Sequence, residues 1–251
     1  MKVLLITGAT GSIGRVLAEQ ALLEGWQVIV HGSTEATVNS LVEALHQHHP
    51  ATQVRGLWEN VTHPGAVKNL VNNAATQFGT IDAIADCLVT GPKQGGVTGP
   101  FEATNPASYL AFAEYSIVYL EQLTHAAMPF LKASQGAMVT LVSDAGLFPA
   151  PRQAIIGAAR AAAISFIKNL SLEVARDGVR ANCISLSYVE NTRSFDKLAK
   201  AGFDRAENAR KKAGLGLPTP QDIVPAVLFL CSQQAQKITG QVLSINGGLN
   251  S

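Results

Sequence analysis

Short, continuous apolar runs alternate along this chain with longer stretches of helical periodicity. Apolar runs bounded by glycine or polar turns read as strands buried on both faces, which is how a parallel sheet looks in sequence. The pattern predicts strands at Val3–Thr7, Gln27–His31, Gln53–Trp58, Ile81–Asp86, Ala137–Val142, Val179–Ile184 and Gln241–Ile245. Helical patterns fill the intervals near Ile13–Glu24, Glu35–Gln47, Pro64–Phe78, Pro106–Lys132, Gln153–Arg176 and Pro220–Ser232. Strand and helix in alternation make right-handed βαβ units. The expected fold class is therefore α/β: a Rossmann-type, doubly wound, parallel seven-stranded sheet with helices on both faces.

Two segments resist this rhythm. Thr90–Asn105 is rich in glycine and proline and reads as a loop. Ser185–Leu217 follows the sixth strand and carries a polar, partly helical stretch over Phe195–Lys212. Ligands of open α/β sheets bind outside the carboxyl ends of the strands, so an excursion at 185–217 reads as a substrate lid or, equally, as an interface insertion. The 251 residues suit one domain over 1–251.

Composition narrows the function classes. Nineteen basic against eighteen acidic residues give a net charge of +1, which carries no electrostatic footprint for nucleic acid or an anionic membrane. Charged residues make up only 15%, well under the usual quarter or so, which suggests surface buried against another chain. Cys87, Cys183 and Cys231 are scattered and odd in number, which fits no disulfide framework or zinc spacing and points to a reducing cytoplasmic setting. The apolar stretch from Ala154 to Ile167 is interrupted by Arg160 and falls short of the roughly 20 residues a membrane span needs. His46, His48 and His49 read as a solvated helix end and not a metal site.

The loop Thr7-Gly8-Ala9-Thr10-Gly11-Ser12-Ile13-Gly14 follows the first strand and opens the first helix. In that context Gly8 permits the tight turn, a small residue lets backbone approach a pyrophosphate, and Gly14 allows helix and strand to touch. The helix start supplies free N–H donors to phosphate. The second strand ends in His31-Gly32-Ser33-Thr34, without the acidic residue that holds a ribose 2′-hydroxyl and without an arginine for a 2′-phosphate. Neither NAD nor NADP is favoured, and weak or absent cofactor binding is the expectation.

The glycine loop, Arg180-Ala181-Asn182, and the ending Ile238-Thr239-Gly240-Gln241-Val242 through Asn246-Gly247-Gly248 together resemble the short-chain dehydrogenase/reductase family over nearly the whole chain. The resemblance implies NAD(P)-dependent oxidoreduction by an Asn-Ser-Tyr-Lys set. In that set the tyrosine moves the proton, the lysine tunes it and holds the nicotinamide ribose, and the serine orients the substrate. Counting along the motif, the serine falls on Ser143, the tyrosine position holds Ile156, the lysine position Arg160 and the asparagine position Ser116. Isoleucine has no proton to give, and a guanidinium stays protonated. Cofactor contacts implied by the resemblance fall on Gly8, Gly11, Ser12, Ile13, Gly14, Ser33, Asn60, Val61 and Val189. Other family positions have drifted: Asp86-Cys87-Leu88-Val89 stands for Asn-Asn-Ala-Gly, Asn60 for an aspartate, and Leu186-Ser187 for Pro-Gly.

Three functions are compatible with this pattern. The first is a non-catalytic subunit paired with an active paralogue, expected as a heterotetramer. This resembles the inactive chain of heteromeric members that act on a hydroxyacyl-CoA in anaerobic aromatic degradation. The second is an active homo-oligomer that uses another acid, for which Tyr188, Tyr119 and Asp144 are candidates. The third is a dinucleotide or metabolite sensor.

Overall fold

The computed structural model describes residues 1–88, 96–201 and 203–250. Seven strands form one sheet: β1 (Val3–Thr7), β2 (Gln27–Gly32), β3 (Val54–Trp58), β4 (Ala83–Asp86), β5 (Ala137–Ser143), β6 (Arg180–Leu186) and β7 (Val242–Ile245). Their order is β3-β2-β1-β4-β5-β6-β7, and every neighbouring pair is parallel. The expected fold class is the observed one.

The helices are α1 (Ser12–Leu23), α2 (Glu35–His46), α3 (Ala66–Phe78), α4 (Tyr109–Ala113), α5 (Tyr119–Ser134), α6 (Ala154–Val174), α7 (Arg193–Ala201), α8 (Phe203–Lys212) and α9 (Pro220–Cys231). Alternation within strands divides the core in two. Leu4, Ile6, Val28, Val30, Val139 and Leu141 face α1, α2 and α9, while Val3, Leu5, Ile29, Ile84 and Met138 face α3, α5 and α6. Both faces are covered, which is why β1 is buried at every position and reads as an unbroken apolar run.

The helix expected over Pro106–Lys132 is broken. A 3₁₀ turn (Pro106–Ser108) precedes α4, and a π-turn over Glu114–Val118 joins α4 to α5. Within that turn Ser116 is buried and Tyr115 half-buried, and Tyr115 stacks on Tyr119 with ring centroids 6.2 Å apart. Turns of this kind gather at functional sites.

The excursion at 185–217 folds as α7 and α8 and closes on its own cluster of Phe195, Ala206, Ala209, Ala213 and Leu217, with Tyr188 and Leu249 packed against it. Hydrogen bonds from Glu190 N to Pro218 O and from Leu215 N to Gly247 O pin both ends. The helical run that begins at Ala154 continues past Ile167 to Asp177, long and apolar enough by length and composition to cross a membrane, a point the short apolar stretch had not suggested. In the fold its inner positions Arg160, Ala163, Ile164 and Ile167 are buried, while Ala154, Ala158, Ala161, Ala162 and Leu172 lie exposed on the outer face.

Candidate active site

Strand register assembles the centre of the site. Thr7 on β1 lies opposite Asp86 on β4, and Asp86 lies opposite Thr140 on β5, so three polar side chains meet at the carboxyl ends of three adjacent strands. Asp86 accepts hydrogen bonds from Thr7 Oγ1 at 2.7 Å, Thr140 Oγ1 at 2.8 Å, Tyr119 Oη at 3.3 Å and the Leu88 amide at 3.2 Å. It is fully buried. Burial pushes its carboxyl upward against the pull of Thr7, Thr140, Leu88 N and the nearby Arg160. Arg160 descends onto the same spot from α6 and is only 4% exposed. Burial lowers its pKa, opposed first by Asp86 and then by Tyr115. For both members of this pair, loss of water outweighs mutual attraction, the ordinary condition of charges in a protein interior.

The tyrosines around the pair are held away from the range in which a phenol exchanges protons near neutrality. Burial, with Asp86 adding to it, pushes Tyr115 up to about 12 despite the opposing charge of Arg160. Tyr119 is driven well above 10 by burial and by the Asp86 charge. Tyr188 packs against the cluster formed by α7 and α8 instead. Ser116 is buried on the π-turn, and its Oγ has no hydrogen-bond partner among the described residues.

Ser143 ends β5, and its Oγ accepts from Ala145 N at 3.3 Å. Beyond it, α6 presses on the 3₁₀ turn Asp144–Gly146. A Cβ on Gly157 would stand 2.7 Å from Ala145 O, and one on Gly146 would stand 2.7 Å from the Arg160 carbonyl carbon. Ile156, partly buried, occupies this first turn of α6. Asp144 carries a role its sequence position did not reveal. Its buried carboxylate accepts from Ser185 Oγ at 2.6 Å, Asn246 Nδ2 at 2.7 Å, Asn250 Nδ2 at 3.2 Å and Ser244 Oγ at 3.3 Å. It ties β5 to β6, β7 and the segment after β7.

The glycine loop has the backbone that phosphate binding requires. Gly8 adopts φ +69°, and a Cβ on Gly14 would stand 2.6 Å from both Ala9 Cα and Gly8 O. Thr10, Ser12, Arg15, Asn191 and Arg193 line a cleft of about 350 Å³ beside it, and Arg193 N donates to Ser12 Oγ at 3.3 Å. The phosphate half therefore fits a dinucleotide. The remaining contacts are poorer. Ile13 is half-buried against the core, Ser33 is exposed, and Asn60 spends its Oδ1 on Thr62 in a local turn. Val61 packs toward α3, and Val189 is buried in the core. The Leu88 side chain crowds Gly8, coming within 3.2 Å of the position a Cβ there would take, while Val89 lies outside the described residues. On the nicotinamide side, position 156 carries no phenol and the cation at 160 is buried, with the Asp86 charge acting on it.

The histidine reading needs correcting at one position. His49 is buried and sits 3.0 Å from Glu19 Oε1, so only His46 and His48 are solvated.

Comparison with known proteins gives this geometry its lineage. Residues 8–250 match the family model described as enoyl-(acyl carrier protein) reductase. The 3-oxoacyl-(acyl-carrier-protein) reductase FabG of Salmonella typhimurium is 28% identical over 99% of this chain and 97% of its own. A short-chain dehydrogenase/reductase family oxidoreductase from Burkholderia thailandensis superposes with a TM-score of 0.84 at 27% identity, covering 99% of this chain and 92% of that one. An NADPH-bound short-chain oxidoreductase of Pseudomonas aeruginosa PAO1 with an atypical catalytic center shares the fold at a TM-score of 0.88 and 23% identity, covering 99% of this chain and 96% of that one. The chain belongs to the short-chain dehydrogenase/reductase family of oxidoreductases.

Proposed function

We propose that this chain is the non-catalytic subunit of a heteromeric NAD(P)-dependent alcohol dehydrogenase, paired with an active paralogue. The observation that carries the reading is Ile156, a hydrocarbon at the first turn of α6 where the reaction needs a proton donor. Among the described residues the two nearest phenols are both shifted away from neutrality. Tyr115 is raised to about 12 and Tyr119 is bonded to a buried carboxylate. A poised acid must lie near neutrality, about 3 units below a free phenol. The resemblance to heteromeric members suggests a hydroxyacyl-CoA substrate for the complex, as with the enzyme acting on 2-(hydroxy(phenyl)methyl)succinyl-CoA in anaerobic toluene degradation. The alanine-rich outer face of α6 is the surface on which such a partner would pack.

Co-expression with a paralogue that retains Tyr-x-x-x-Lys, followed by size-exclusion chromatography and assay, tests the reading. The expected result is a mixed oligomer whose turnover vanishes when the partner's tyrosine is replaced and survives changes in this chain. Turnover by this chain alone that is abolished by Tyr115→Phe would instead establish an active enzyme with a relocated acid. The half-buried Tyr115 beside Arg160 is the one observation favouring that second reading.

A further inference from the structure

The excursion formed by α7 and α8 has a core of its own, and we infer that segment 246–250 is a strap, anchored on Asp144, that holds this excursion against the rim of the cleft beside the glycine loop. The inference concerns how one element is seated and is independent of whether the chain turns over a substrate.

The excursion needs an external anchor. Phe195, Ala206, Ala209, Ala213 and Leu217 form a cluster separate from the two that line the sheet. A small cluster made mostly of alanines buries little apolar surface, and such a unit opens locally unless something else holds it. The bond from Glu190 N to Pro218 O closes the excursion's own neck. Arg210 pairs with Glu190, and its Cζ lies 5.1 Å from the Phe195 ring centroid, so these contacts also stay within the unit. The start of α7 touches the glycine loop through a long bond, 3.3 Å from Arg193 N to Ser12 Oγ.

The strap supplies a firmer hold. Leu215 N donates to Gly247 O at 3.0 Å, and Leu249 packs against the excursion's cluster. Gly247 adopts φ +66°, and a Cβ there would overlap the Gly216 carbonyl oxygen, so strap backbone lies directly on the end of the excursion. Asp144 fixes the strap to the sheet. Its Oδ2 accepts from Asn246 Nδ2 at 2.7 Å and from Asn250 Nδ2 at 3.2 Å, one bond at each end of the segment, while its Oδ1 accepts from Ser185 and Ser244. Asn246 Nδ2 also donates to Asn250 O and Gly248 N to Asn246 Oδ1, which closes the segment around one carboxylate. Asp144 and Asn246 are both buried, so losing either partner strands a polar group away from solvent.

Hydrogen exchange read by mass spectrometry on the full chain tests the strap with Asp144→Ser and Leu249→Ala. The first removes the anchor and keeps a polar side chain. The second keeps the anchor and removes the strap's apolar contact with the excursion. Each is expected to speed exchange in 193–201 and 203–212 by about tenfold or more while β1 and β2 exchange as in the parent, because the loss of a buried contact then falls on one unit. A role for Asp144 confined to strand pairing would instead loosen β5, β6 and β7 and leave both helices unchanged. That outcome would overturn the inference, as would equal acceleration throughout the chain. Should Asp144→Ser fail to fold, Leu249→Ala decides by itself: α7 and α8 exchanging at the parent's rate in that variant would overturn the strap.

Discussion

At the β1–α1 corner and again at the β5–α6 corner, backbone lies directly on backbone. Gly14 leaves no room for a Cβ against Ala9 and Gly8, and Gly157 and Gly146 leave none against Ala145 and Arg160. Both corners are closed by packing glycines, and the side chains they carry differ in kind: hydroxyls and arginines line the first, while Ile156 and a buried Arg160 stand at the second. Helix and strand must touch at both places whatever the cleft holds, so these glycines report the fold. Ile156 and Arg160 project from a frame whose backbone contacts do not depend on them, so these two positions can vary while the corner stays the same. A glycine signature is therefore evidence for a dinucleotide-shaped loop and is silent about hydride transfer.

The largest expected effect tests whether the first corner is structural before it is functional. Gly14→Ala places a Cβ 2.6 Å from two backbone atoms, which no rotamer relieves. It is expected to cost about 3 kcal/mol or more, enough to leave little soluble folded protein. Chemical denaturation reads this; a variant as stable as the parent would mean the glycine does not serve the packing. At the second corner Asp86→Asn removes the charge facing Arg160 and is expected to cost about 3 kcal/mol, because a buried guanidinium loses its countercharge. Adding Arg160→Met should recover most of that loss. A double variant no better than the single would show that Asp86 matters only through its hydrogen bonds to Thr7, Tyr119 and Thr140.

What the sequence made legible follows the same division. β1 and its glycine loop stand where the apolar run and the turn placed them, since backbone constraints select residue types locally. The π-turn at Glu114–Val118 left no mark, because a single extra residue in one helical turn does not disturb a helical pattern. The sequence offers Asp144 only as a candidate acid, because its partners Ser185, Ser244, Asn246 and Asn250 lie far along the chain and meet it only once the strands pair. The pairing of His49 with Glu19 hid for the same reason. The missing tyrosine at 156 was plain by counting, but the inward turn of Arg160 needed Asp86 in place across the sheet.

A pH effect of comparable or smaller size belongs to the strand beneath the glycine loop. The His31 carbonyl accepts from Ala9 N at 2.8 Å, while its buried ring donates from Nε2 to Glu59 O at 3.0 Å and has no partner at Nδ1 among the described residues. Burial lowers its pKa from 6.5 to about 4, partly offset by the Glu59 bond. The unfolded chain thus takes up this proton first as pH falls. Stability is retained above 6.5, drops through the window from 6.5 to about 4, and levels below it, a loss of up to about 3 kcal/mol. Urea unfolding at stepped pH should show that slope in the parent and not in His31→Asn. Equal slopes would place a proton on the folded ring.

The smallest effect on stability, and the sharpest on the comparison, is expected from Ile156→Tyr. Position 156 is only partly buried, so the larger ring should change stability by no more than about 1 kcal/mol. Restoring the phenol should nonetheless restore no turnover at neutral pH. The buried guanidinium at 160 already faces the Asp86 charge, so the new hydroxyl is expected to stay near its ordinary pKa of about 10. Any activity with NADH and a carbonyl substrate should then follow the free phenol, with a pH profile that breaks near 10 and not near neutrality. If this one substitution produced turnover with a break near neutrality, the β5–α6 corner would differ from a working site by a single side chain, and the inward turn of Arg160 would have no bearing on its silence.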